Sequence, residues 1–247
     1  MSKLSGALQY TQIVQDKLNR IVETQIDNID QAAECVSKTI QADGMVYLFG
    51  TGHSHMLSEE GHYRAGGLVQ VCPILSTSLM LHEGAVLSTK LERTRGIAAP
   101  VLEQYQPTPD DTLIVFSNSG VNAVPVEMAL AAKDKGMSVI AIVALDYADT
   151  IEPKIDGKKL ADVADIVLDN QGEPGDGVVS VHPSGVKAGP TSTVTGAFIL
   201  NAIFVEAIMR IASDSEKPPV YISANVPGAA EHNADLLERY RLRNPHL

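Results

Sequence analysis

No tryptophan occurs among the 247 residues, and phenylalanine appears only 4 times and tyrosine 7 times. With so few bulky rings, the core must be built from Ala, Val, Ile and Leu, a mixture that suits parallel strands buried on both faces. Cysteine is nearly missing. Cys35 and Cys72 are the only two, with neither metal-ligand spacing nor a disulfide framework, so a reduced, cytoplasmic setting is the simplest expectation. Positive charge is also short: 19 Lys and Arg stand against 30 Asp and Glu, a net charge of -11. A nucleic-acid surface needs a basic stripe, so no nucleic-acid partner is expected. Small anions stay open, because backbone amides bind phosphate even in an acidic protein. No run approaches 18 consecutive apolar residues, so no membrane partner is expected. The N-terminal stretch MSKLSGALQYTQIVQDK is amphipathic and polar rather than signal-like.

What is present is a strand–helix alternation. Leu8, Ile13, Val14, Leu18, Ile21, Val22, Ile26, Ile29 and Ala33 recur at helical spacing, with no Pro or Gly from 7 to 43. The pattern predicts one long helix, or two joined ones, over 3–41, ended at Asp43-Gly44. Its apolar surface exceeds what one domain covers, so a homodimer or higher homo-oligomer is expected. Strands are predicted at 45–50, 68–75, 112–117, 137–144 and 164–170. Helices are predicted at 53–64, 122–136, 189–212 and 229–243, with a broken helical segment at 91–105 and a Gly/Pro-rich excursion at 171–189. Alternation of this kind indicates a parallel α/β/α sandwich, five-stranded and of flavodoxin-like order. No repeat or linker divides the chain. It reads as one domain, with a helical flank at 1–43, a core at 44–212 and a helical tail at 213–247.

Two turns stand out, FGTGHS (49–54) and FSNSGVN (116–122). Each follows a buried strand, opens a helix, and combines glycine with small hydroxyl residues. Glycine lets backbone approach a ligand, and a helix N-terminus offers unpaired amides and partial positive charge. Either turn alone is equally well a plain tight turn. In a flavodoxin-like sheet, however, strands one and three flank the switch point where ligands bind, so the two turns would share one crevice. The stretch GTGHSH is not G-x-G-x-x-G, since His55 takes the sixth position, and no Walker loop is present. No cofactor and no metal are therefore expected.

These residues resemble the paired signature loops of the SIS (sugar isomerase) domain family. Gly50, Gly52 and Ser54 match its G-x-G-x-S loop. Ser117, Ser119 and Gly120 match its S-x-S-G loop, with Asn122 where threonine is common. KGMSVIAIV (135–143), GPTSTVT (189–195) and HYRAGG (62–67) extend the likeness, the last toward a bacterial phosphosugar isomerase subgroup akin to phosphoheptose isomerases. The resemblance implies a sugar phosphate as ligand, held by Gly50, Thr51, Gly52, His53, Ser54, Ser117, Asn118, Ser119, Gly120 and Asn122. It implies aldose–ketose isomerisation as the reaction. A non-catalytic phosphosugar sensor and a phosphosugar lyase or etherase are the alternatives.

Isomerisation of this type needs a base, a proton shuttle and donors for a developing oxyanion. A helix starting near His53 places His55, Glu59 and His62 on one face and Glu60 on the next. Glu59 or Glu60 is the expected base. His55 or His82 is the expected shuttle, and Glu83 a further candidate in the segment after strand two. The glutamates stand about one turn earlier than in the phosphoheptose isomerase pattern, and the helix TSTVTGAFILNA lacks that branch's His and Glu. Zinc on His53, His55, Glu59 and His62 is the competing reading. His182 and His232 are read as structural.

Overall fold

The computed structural model describes residues 4–214 and 217–247. Lys3, in the expected first helix, and positions 215–216, in the expected tail, lie outside them. Helix α1 (Ser5–Gln41) is unbroken, as the absence of Pro and Gly after Gly6 allows. Asp43, not Gly44, takes the left-handed position that ends it, with φ of 60°. Gly44 is needed for a different reason: a Cβ there would lie 2.3 Å from the Asp110 carbonyl oxygen.

Next come β1 (Val46–Gly50), α2 (Met56–Gly61), β2 (Val71–Pro73), α3 (Ala85–Leu91), α4 (Ala98–Glu103), β3 (Thr112–Phe116) and α5 (Ala123–Asp134). They are followed by β4 (Ser138–Val143), α6 (Leu145–Asp149), α7 (Leu160–Val163) and β5 (Ile166–Asp169). A hairpin of β6 (Gly177–Ser180) and β7 (Lys187–Pro190), then α8 (Ser192–Asp214) and α9 (Ala229–Tyr240), complete the order.

The five parallel strands lie in the order β2-β1-β3-β4-β5, the flavodoxin-like order. Alternate residues sort the core into two layers. Tyr47, Phe49, Leu113 and Val115 face α4, α5 and α7, whereas Leu48, Ile114, Phe116 and Ile140 face α1, α2 and α8. Burial on both faces explains why these strands read as near-continuous apolar runs. By length and composition α8 is the one described helix that could cross a bilayer. Here Ile199, Leu200, Ile203 and Ala207 are buried in the core beside α1. Along the α1–α8 seam, Val22, Ile26, Val194 and Val205 remain exposed and border a groove of about 550 Å³.

Three expectations change. The second strand shrinks from 68–75 to 71–73, because residues 66–69 bond instead to Pro219 and Tyr221. Pro73 suits an edge strand, where a missing donor faces no neighbour. The helix predicted at 53–64 splits into a 3₁₀ turn, Gly52–His55, and the short α2. It stops at Gly61, where a Cβ would sit 2.4 Å from Leu48 Cδ1. The excursion at 171–189 holds the β6–β7 hairpin.

The tail closes over the β2 edge. Asn244 is fully buried, donates to the Val71 carbonyl at 3.0 Å, and accepts from the His246 amide. The His62 Nδ1–H donates to the Val71 carbonyl at 3.3 Å. Its ring lies 6.3 Å from that of His246, which meets the Tyr105 hydroxyl at 3.0 Å. Burial holds both imidazoles below the usual histidine range, and His62 adds to the effect on His246. A base with a depressed folded pKa stabilises the fold above its unfolded value of about 6.5, and that contribution is lost as pH falls below it. The melting temperature should therefore drop by several degrees from about pH 7.5 to about pH 5.5. The drop should be smaller in His246→Gln, and equal drops in the two proteins would refute the assignment.

Candidate functional site

The two turns leave adjacent strands side by side, since Gly50 pairs in register with Phe116. In the first, Gly50 is pressed against the turn it opens: a Cβ there would lie 2.5 Å from the Ser54 carbonyl oxygen. Gly52 takes φ of 58°, a conformation that favours glycine. The Ser54 amide then closes on the Thr51 carbonyl at 3.0 Å. In the second turn Gly120 has φ of 65°, and its amide donates to Ser117 Oγ at 3.2 Å. That leaves the Ser117 hydroxyl proton free to donate. Helix α5 starts with no side-chain cap. Pro125 carries no N–H, and the Val124 amide is taken by the Glu92 carbonyl. The amides of Ser119, Val121, Asn122 and Ala123 have no partner among the described residues, the condition in which a helix start binds anions.

Ser54, Ser117 and Asn118 line one small cavity with Asn170, Ser192 and Thr193. Its volume is about 10 Å³, room for about one water. Asn118 Oδ1 accepts from Asn170 Nδ2 at 3.2 Å. The start of α8 is capped from the hairpin side, where Asp176 accepts from the Thr191 and Ser192 amides and the Ser192 hydroxyl. The cavity lining carries no basic side chain, so any anion there would be held by hydroxyls and amides.

The expected catalytic residues divide. His55 is buried, 6% exposed, and its Nδ1–H donates to the Gly52 carbonyl at 2.5 Å. That bond fixes the tautomer and leaves Nε2 to face Glu59 Oε1 at 3.7 Å. The His82 ring comes within 6.3 Å of the His55 ring. Glu60 is committed elsewhere, to Arg64 and to Asn201 of α8. His53 and Glu83 are exposed and contact none of the others. His62 does not share the His55–Glu59 face. The helix ends before it and its ring turns to β2, which removes the third ligand of the zinc reading. Among the described residues no group of three or more His, Cys, Asp or Glu side chains could hold a metal. His182 bonds to Ser184 at the exposed hairpin tip, and His232 meets the Val220 carbonyl.

Residues 9–144 match the family model of the SIS domain. The chain belongs to the SIS domain family. It is 46% identical over 220 residues to a UPF0309 protein of Brucella canis, covering 89% of each chain. A UPF0309 protein of Brucella anthropi is 47% identical over 218 residues, covering 88% of each. Among solved structures, phosphoheptose isomerase GmhA from Neisseria gonorrhoeae superimposes with a TM-score of 0.51 at 18% identity, over 84% of this chain and 97% of that one. The Vibrio vulnificus NanR protein complexed with ManNAc-6P gives 0.52 at 12% identity, over 94% and 68%. At these identities the two structures show a shared SIS fold.

One residue that joins the two turns escapes sequence reasoning altogether. Glu92 lies just past α3, in LERTRG, where it reads as one acid in a charged segment. Its side chain is 15% exposed and reaches both turns. Oε2 accepts from the Thr51 hydroxyl at 2.8 Å, and Oε1 from Asn122 Nδ2 at 3.0 Å. Asn170 carried a faint signal, being polar at the carboxyl end of a buried strand, where α/β ligands bind.

Proposed function

We propose that this SIS domain binds a sugar phosphate at the paired turns and isomerises it by moving a proton between adjacent carbons. The observation that carries the reading is the juxtaposition of two glycine-tightened turns at the ends of adjacent strands, with Ser54 and Ser117 lining one cavity and amides at 119 and 121–123 unpartnered among the described residues. Ser54, Ser117 and Ser119 supply hydroxyl donors to the phosphate. Gly50, Thr51, Gly52, His53, Asn118 and Gly120 supply the backbone shape, and Asn122 adds an unpartnered amide. Glu59 acts as the base, with His55 and His82 moving the proton among the sugar oxygens. The cavity has room for about one water, so a phosphate at the turns needs a wider opening beside Ser192 and Thr193 than this structure holds. The protein works in this reading as a single domain and a homo-oligomer that covers the exposed α1–α8 seam. Light scattering should then give a mass above that of one chain, and a monomer would count against the assembly.

The test is a thermal-shift screen against a panel of phosphosugars, since a ligand that binds only the folded state raises the melting temperature. Against the panel member with the largest shift, Ser117→Ala/Ser119→Ala should lose about 3 kcal/mol of affinity, a factor on the order of 100. Unchanged affinity would remove the serines from the clamp. Wild-type protein that binds but exchanges no solvent deuterium into the sugar would be a sensor.

A further inference from the structure

The carboxylate of Glu92 joins two turns that are far apart in sequence, Thr51 lying 41 residues before it and Asn122 30 residues after it. One oxygen serves each turn, and the backbone carbonyl of the same residue takes the Val124 amide in the first turn of α5. The Arg93 guanidinium lies 2.8 Å from Oε1, and Lys154 reaches the Asn122 side-chain oxygen at 3.3 Å. Glu92 is thus a largely buried acid with a partner from each turn, one on each oxygen, and Arg93 beside Oε1. Neither turn can shift without stretching a bond to the other.

We infer that Glu92 is a positioning residue, a strap that sets the spacing of the two turns, so that a ligand engaging one turn meets the other already in place. Pre-set spacing raises affinity by removing the ordering cost from the binding step. The ligand part of this inference rests on the reading of the turns as one anion clamp. The strap itself does not.

Amide hydrogen exchange in the unliganded chain tests the strap directly. Thr51→Val removes one hydroxyl that touches only Glu92 in this network. If the strap couples the turns, exchange should rise not only at 51–55 but also at 118–124, on the opposite turn. Glu92→Ala should raise exchange at both, and Glu92→Gln, which keeps one accepting oxygen, should restore part of the protection. An effect of Thr51→Val confined to its own turn overturns the inference. With the phosphosugar that gives the largest thermal shift, Thr51→Val and Glu92→Ala should each weaken binding by about tenfold, and together by less than the product, because they act on one strap. Unaltered affinity in both variants also overturns it, even where basal stability falls, since that is a purely structural role. If the wild type binds no phosphosugar, the clamp reading fails, and the exchange pattern alone decides the strap.

Discussion

Asp111→Ala is expected to destabilise the fold by about 3–5 kcal/mol, a large share of the roughly 5–15 kcal/mol that holds a domain together. Asp111 sits at the entry to β3 with its side chain fully buried. Oδ1 accepts from the Met45 amide at 2.7 Å and from Arg243 Nη2 at 2.7 Å. Oδ2 accepts from the Thr108 amide and hydroxyl at 2.6 and 3.0 Å. One carboxylate therefore ties the starts of β1 and β3 to the C-terminal tail. Removing it strands the buried Met45 amide, at about 1–3 kcal/mol for an unsatisfied group. Arg243, about a third exposed, retains some water, which limits the cost of leaving its charge unpaired. The melting temperature should fall by about 10 °C. Asp111→Asn, which keeps the acceptor to Met45 but not the charge, should fall between. A loss below about 2 °C in Asp111→Ala would show that the tail is not latched through this residue.

That latch was not legible in the sequence, and the reason is physical. Periodicity reports the burial of apolar faces, so α1, β1, β3, α5 and β4 stand out close to their observed bounds. The order of the sheet follows from strand–helix alternation. Asp111, Asn244 and Glu92 leave no such trace. Each is a polar residue whose burial rests in part on a partner 30 or more positions away, and no local pattern encodes that partner. The short α2 fails for a related reason. Its helical spacing runs on through His62, yet contact between Gly61 and Leu48 and the left-handed Tyr63, with φ of 46°, end it early. The turns themselves were legible because glycine and serine there answer local needs: close approach at Gly50 and positive φ at Gly52 and Gly120. What the turns carry between them, the Glu92 strap, is a tertiary fact.

Glu59→Gln is expected to lower the rate of solvent-deuterium exchange into the bound sugar by about 10²- to 10⁴-fold, the range for losing a general base. Its effect on phosphosugar affinity should be slight. The choice of Glu59 over Glu60 rests on what each already does. Glu60 holds Arg64, in the segment just past α2, and Asn201 on α8, so its oxygens are spent on joining α2 to its neighbours. Glu59 meets the His55 imidazole at 3.7 Å and is 55% exposed, open to a substrate lying over the turn. The His55 tautomer points the same way. With Nδ1–H held on the Gly52 carbonyl, Nε2 presents its lone pair on the side of Glu59, where a proton can pass between the two groups and a substrate oxygen. Glu60→Gln serves as the control. It keeps the shape that packs on α8, so its exchange rate should stay within about threefold of wild type, with any loss appearing as melting temperature. Should Glu59→Gln keep more than about a third of the wild-type rate while Glu60→Gln loses a hundredfold, the base is Glu60, and the His55–Glu59 pair holds the turn rather than moving the proton.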